Sequence, residues 1–146
     1  MERIIYLKGK VISLVVPEKQ DVDLMYKGMN DYEIAKNITS RALSPAYREN
    51  EEAYYNSFSL NKDKTFMIMI NKTKEVIGNL GFIKLNELAR NGEIGICIFD
   101  KKYFGKGYGT EAIKLFLKYG FELIGLNKAL DQKMKINIIW SYDKIQ

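Results

Sequence analysis

The sequence predicts an α+β (mixed α/β) fold, a mixed and mostly antiparallel sheet flanked by helices. Two observations predict it. Hydrophobic periodicity runs strand, two or three helices, three strands joined by turns, then a helix. A glycine loop, Phe104-Gly105-Lys106-Gly107-Tyr108-Gly109-Thr110, lies between the last of those strands and the last helix. One domain over 1–146 is expected, because 146 residues bury a single core and no linker, repeat or low-complexity segment interrupts them.

Each element carries its own signal. Lys10–Val16 is rich in β-branched residues and stops at Pro17, as a strand does. Glu18–Asn30 places Val22, Met25, Tyr26 and Met29 at helical spacing. Asp31–Ile38 reads as a second short helix with Asp31 as its N-cap. Ser44-Pro45 opens a third, whose body runs through Glu51–Phe58. Lys64–Ile70 and Glu75–Leu85 are strands, and Asn71-Lys72-Thr73-Lys74 turns between them. Asn91-Gly92 marks another turn before the apolar strand that ends at Phe99. Ala112, Ile113, Phe116, Leu117, Phe121 and Ile124 then form one helical face.

Composition removes several function classes. At 47% apolar and 28% charged the chain is ordinary globular material. Its apolar runs fall short of the roughly 18 residues that span a membrane, and Met1–Leu7 lacks the apolar core of a signal peptide. One cysteine allows no internal disulfide, which suits a reducing cytoplasm. The net charge of +5 is dispersed among acids, so neither nucleic acid nor membrane is the expected partner. Histidine is absent, which excludes Ser-His and Cys-His nucleophiles and histidine-ligated metal, and no metal is expected. Cys97, between Ile96 and Ile98, reads as a packing residue. The chemistry is left to carboxylates, tyrosines, lysines and backbone groups.

The loop puts backbone N–H groups and a helix N-terminus at the end of a buried strand, where anions bind. A Walker loop fits poorly, since Gly105-Lys106 is followed by Gly107 rather than Ser or Thr. A dinucleotide fingerprint fits poorly too, because Gly105-x-Gly107-x-Gly109 is one residue short. The segment instead resembles the acyl-CoA signature of the GCN5-related N-acetyltransferase (GNAT) family, Gln/Arg-x-x-Gly-x-Gly/Ala. Gly107 and Gly109 match its glycines, and Phe104 stands where Gln or Arg is usual. Phe104–Ala112 is similar to the version in ribosomal-protein N-terminal and spermidine acetyltransferases, where an aromatic precedes Gly-Lys-Gly-Tyr-Gly-Thr-Glu-Ala. The likeness covers 8–128, and 129–146 is atypical.

The resemblance implies acetyl-CoA as co-substrate. Its pyrophosphate would lie on the amides of Gly105, Lys106, Gly107, Tyr108, Gly109 and Thr110, with Phe104 also among the cofactor-binding residues. Its pantetheine arm and thioester would meet the amides of Cys97, Ile98 and Phe99, where the family's strand splays from the next one. An acceptor amine then attacks the thioester directly. Glu93, at the start of the strand feeding the loop, is the candidate base through water. Tyr142 is the candidate acid on positional grounds.

After the last helix the family's text fades. Either Tyr142-Asp143-Lys144 echoes its Tyr-Glu-Lys helix, or Lys133–Trp140 is simply a strand, the favoured reading. The usual last strand would be lacking either way, through natural shortening or truncation. A homodimer covering the open edge is then one expectation, and an impaired CoA-binding relative is another. The acceptor site is expected between Asp31 and Asn61, with Glu33 and Tyr54 among its residues. Deprotonating an α-amine at pH 7 costs about 1 kcal/mol, against about 4.6 kcal/mol for a lysine-like amine. A single carboxylate suits the first, a peptide N-terminus or another amine of low pKa, although polyamines remain open.

Overall fold

A computed structural model describes residues 2–36, 44–60, 64–86, 88, 91–120, 122, 128–131 and 138–141. The elements follow as β1 (Ile5–Lys8), β2 (Ile12–Val15), α1 (Asp21–Met29), α2 (Tyr32–Ala35), α3 (Arg48–Ser57), β3 (Phe66–Ile70), β4 (Val76–Asn86), β5 (Asn91–Ile98), α4 (Tyr108–Tyr119), β6 (Lys128–Asp131) and β7 (Ile138–Ser141). The strands form one sheet in chain order. Pairing is antiparallel from β1 to β5, parallel between β5 and β6, and antiparallel again to β7. This is the mixed, mostly antiparallel α+β sheet that the periodicity predicts.

Both faces of the sheet are covered, which is why its central strands read as continuous apolar runs. Phe66-Met67-Ile68-Met69-Ile70 is buried throughout. On one face Ile94, Ile96 and Ile98 pack with Ala112, Ile113, Phe116 and Leu117 of α4. On the other, Cys97 and Phe99 pack with Val22, Met25 and Met29 of α1 and Ile34 of α2. The Cys97 thiol is buried, as its apolar neighbours imply.

Local chemistry sets the ends of the elements. Asp31 caps α2, its carboxylate accepting from the Glu33 amide at 2.9 Å. Asn30 pins the approach to α3 by bonding both the N–H and the C=O of Ala46. Arg3 forms a buried ion pair with Asp21 at 2.7 Å and donates to the Val16 carbonyl, tying the start of the chain to the start of α1.

One reading changes, and strands that it did not include are added. Asn91-Gly92 is not a turn: Asn91 pairs with Asn86 on one side and Lys128 on the other, and two flanking strands outweigh its turn propensity. β1 has no alternating pattern to reveal it, because most of it is exposed on the sheet's edge. The strand expected over Lys133–Trp140 is described as Ile138–Ser141, and β6 precedes it. Residues 132–137 lie outside the described residues, as do 142–146 with the candidate acid Tyr142.

Two substitutions test this packing by thermal unfolding. Phe116 is fully buried, with Phe82 at 4.7 Å and Phe66 at 6.0 Å between ring centres. Phe116→Ala should cost about 3–5 kcal/mol. A Cβ on Gly28 would lie 2.6 Å from Cδ1 and 3.0 Å from Cα of Phe99. Gly28→Ala therefore pushes α1 away from Phe99, just past the end of β5, and should cost about 1–3 kcal/mol.

Candidate active site

The site begins with the ladder between β4 and β5. The Phe99 amide donates to the Ile77 carbonyl at 2.8 Å. Pairing alternates along an antiparallel ladder, so Cys97, opposite Asn79, also turns its N–H to β4. Ile94, Ile96 and Ile98 turn theirs to the other side. Among the described residues, β6 pairs with β5 only from Asn91↔Lys128 to Ile94↔Asp131. The upper half of β5 therefore has a polar edge that described pairing does not use. Of the three amides expected to meet a ligand there, Ile98 has the right direction. Those of Phe99 and Cys97 serve the ladder.

Beyond β5 the chain makes a short 3-10 turn over Lys101–Tyr103, capped by the Asp100 carboxylate on the Lys102 amide at 3.0 Å. The loop then alternates hands, with φ of +73° at Gly105 and +84° at Gly107. Other L residues are strained at such angles. A Cβ at either glycine would meet nothing within 4 Å, so the backbone angle, not crowding, calls for glycine. Gly107 is the N-cap of α4, and the Glu111 amide makes the first helical bond to its carbonyl at 3.1 Å. Tyr108, Gly109 and Thr110 therefore have no intrahelical acceptor, and their amides emerge with the positive end of the helix dipole. Left- and right-handed residues in succession aim neighbouring N–H groups at one point, as an anion requires. Lys101, Lys102 and Lys106 add exposed positive charge around it. Phe104 is exposed at the loop entrance.

Two polar pins hold this loop. Tyr103 donates its hydroxyl to Glu75 in the turn between β3 and β4, beneath the Lys102 ammonium at 5.0 Å from the ring centre. Glu111, in the first turn of α4, accepts from the amides of Val11 and Ile12. Neither pin is marked in the sequence, since each joins residues far apart in the chain.

The remaining expected residues are spread out. Glu93 is half-buried on β5, one step before the last described pairing with β6. Glu33 is exposed on α2 and paired with Lys36 at 2.7 Å. Tyr54 is exposed on α3 with its ring against Phe58 at 4.6 Å. Residues 37–43, between those helices, lie outside the described residues. Among the described residues no three His, Cys, Asp or Glu side chains converge as metal ligands, and no helix is long and apolar enough to cross a membrane.

Known proteins share this fold. The family model for the acetyltransferase (GNAT) domain matches residues 12–139. The uncharacterized N-acetyltransferase p20 of Bacillus licheniformis is 31% identical over 114 residues, which are 76% of this chain and 63% of that protein. The chain thus spans less than two thirds of the length of that relative. A GNAT-family acetyltransferase from Bacillus anthracis superposes with a TM-score of 0.73 at 25% identity, covering 86% of this chain and 71% of the other. Spermidine N-acetyltransferase from Vibrio cholerae, solved with CoA and spermine, superposes with a TM-score of 0.71 at 24% identity over 84% of this chain and 71% of that one. At that identity the likeness is one of fold. Fold and loop together define an acetyltransferase domain. The chain belongs to the GNAT family.

The Tyr103 pin gives a pH prediction. The hydrogen bond to Glu75 raises the Tyr103 pKa above its ordinary value, with burial and the Glu75 charge adding to it. Its stabilising effect is present below the pKa of an unfolded tyrosine and is lost as pH rises through the higher folded value. Absorbance titration of tyrosinate should therefore show, in wild type minus Tyr103→Phe, a transition later than that of free tyrosine. A difference transition at or below the free value would mean that the bond does not form.

Proposed function

We propose that the chain is an acetyl-CoA-dependent N-acetyltransferase acting on a primary amine. One observation carries the reading: the outward edge of β5 leads, through one short 3-10 turn, into a left-handed glycine loop at the N-terminus of α4. Acetyl-CoA supplies a thioester whose carbonyl an amine can attack. The chain supplies donors and position. The amides from Gly105 to Thr110 hold the pyrophosphate, with Phe104 and Lys106 bordering it. The amides of Ile98 and Ile96 hold the arm and polarise the carbonyl, while Cys97 and Phe99 fix the strand from behind. Oriented binding of two reactants is a second large source of rate in such a site.

Glu93 is the proposed base. It stands three residues, about 10 Å, from Ile96 along the strand, so its reach to an attacking amine runs through water. Tyr142 remains the proposed acid on its place in the sequence. Glu33 and Tyr54 lie in the region proposed to receive the amine. The spermine bound by the Vibrio cholerae neighbour supports an amine as acceptor in general. The argument from amine pKa favours one that loses its proton at small cost near pH 7, such as a peptide N-terminus.

Calorimetric titration with acetyl-CoA tests the reading, followed by turnover with peptide and polyamine acceptors. Binding with turnover supports it. Binding without turnover on any amine points to a CoA-binding relative that has lost catalysis. Gly107→Glu should remove detectable acetyl-CoA binding by placing a carboxylate in the open space at the loop. Gly107→Ala separates the effect of strain, costing about 1–2 kcal/mol of stability with most affinity kept. Unchanged affinity in Gly107→Glu would refute the loop assignment.

A further inference from the structure

We propose that Glu111 is a positioning residue for the phosphate-binding end of α4, a role that rests on the reading of the loop just given. Glu111 Oε2 accepts from two successive amides at the start of β2, Val11 at 3.0 Å and Ile12 at 2.7 Å. Its own amide bonds the Gly107 carbonyl. One residue therefore ties the left-handed N-cap to the sheet.

The surface it grips is unusually fixed. Asn71 donates its backbone N–H to the Val11 carbonyl at 2.8 Å and its side-chain N–H to the Gly9 carbonyl at 2.9 Å. Ser13 in turn donates its hydroxyl to Asn71 Oδ1 at 2.6 Å. A Cβ on Gly9 would lie 2.4 Å from the Ile12 carbonyl and 3.0 Å from Glu111 Oε2, so the turn between β1 and β2 admits the carboxylate only with glycine there. Asn71 makes the turn rigid, Gly9 leaves room, and Glu111 docks.

Apolar packing does not do this job. Ala112, Ile113, Phe116 and Leu117 hold α4 against the sheet, but such contacts have little direction and tolerate sliding along the helix axis. Two charge-assisted bonds to adjacent amides set the height and rotation of the first turn. The amides of Tyr108, Gly109 and Thr110 belong to that turn, and displacing them by about 1 Å misaligns donors that must converge on one group. The carboxylate, aimed at Val11 and Ile12, spends its charge on the sheet rather than on the loop.

Acetyl-CoA affinity and melting temperature, measured on wild type, Glu111→Ala, Glu111→Asp, Glu111→Gln and Ser13→Ala, test the role. Glu111→Ala should bind acetyl-CoA about tenfold more weakly, and Glu111→Asp, whose oxygen falls short by one methylene, should also lose affinity. Glu111→Gln keeps a carbonyl oxygen of the same reach and should stay within about threefold of wild type. Ser13→Ala removes one bond to Asn71 but leaves the Asn71 bonds to Val11 and Gly9 and both Glu111 bonds in place, so affinity should stay within about threefold of wild type. Wild-type affinity in Glu111→Ala overturns the role, as does an equal loss in Ser13→Ala at matched melting temperature. If the alanine variant does not fold, aspartate against glutamine decides, and equal affinity in those two overturns the role. Failure of wild type itself to bind acetyl-CoA sinks the functional reading instead, before any variant is compared.

Discussion

β5 is hydrogen-bonded to β4 along its length, and the position of each group at the loop follows from that ladder. Alternation commits the amides of Cys97 and Phe99 inward and turns those of Ile96 and Ile98 outward. The same alternation sends Ile96 and Ile98 side chains to α4 while Cys97 and Phe99 meet α1. One strand thus organises two cores and one polar edge. A shift of one residue in its pairing would exchange all of these at once.

The helices are placed by different physics on the two faces. α1 comes close because Gly28 has no side chain to hold it away from Phe99. α4 is drawn in by apolar burial and then located by Glu111, whose partners are backbone groups of the sheet. Burial determines that the elements associate, and the directional bonds determine where. A ligand contacted mainly by backbone amides depends on the second kind of information, because an amide cannot adjust by changing rotamer.

Much of this was legible in the sequence. β3, β4 and α4 announce themselves by periodicity, Asp31 by its capping chemistry, and the loop by glycines at Gly105 and Gly107 whose backbone angles allow little else. Features that depend on partners distant in the chain were not legible. Asn91-Gly92 looks like a turn until β4 and β6 are placed beside it. β1 borrows its extended form from β2 and carries little pattern of its own. Glu111 reads as one more exposed helix acid until the turn at Gly9 arrives, and Tyr103 reads as a loop aromatic until Glu75 does. For Glu33 and Tyr54, sequence offers only a region and a chemical type.

The bond from Glu111 to Ile12 spans 99 residues of chain. Closing a loop of that length costs about 4 kcal/mol in chain entropy, comparable to what two such charge-assisted bonds return in water. The bond gains nothing until the strands between have brought its ends together. Folding of this end is thereby subordinate to completion of the sheet, and a partly folded chain has the strands of the domain without a competent loop. Contacts of this separation in sequence also slow folding. A nascent chain has the residues of its first hairpin long before it has the helix that locks them.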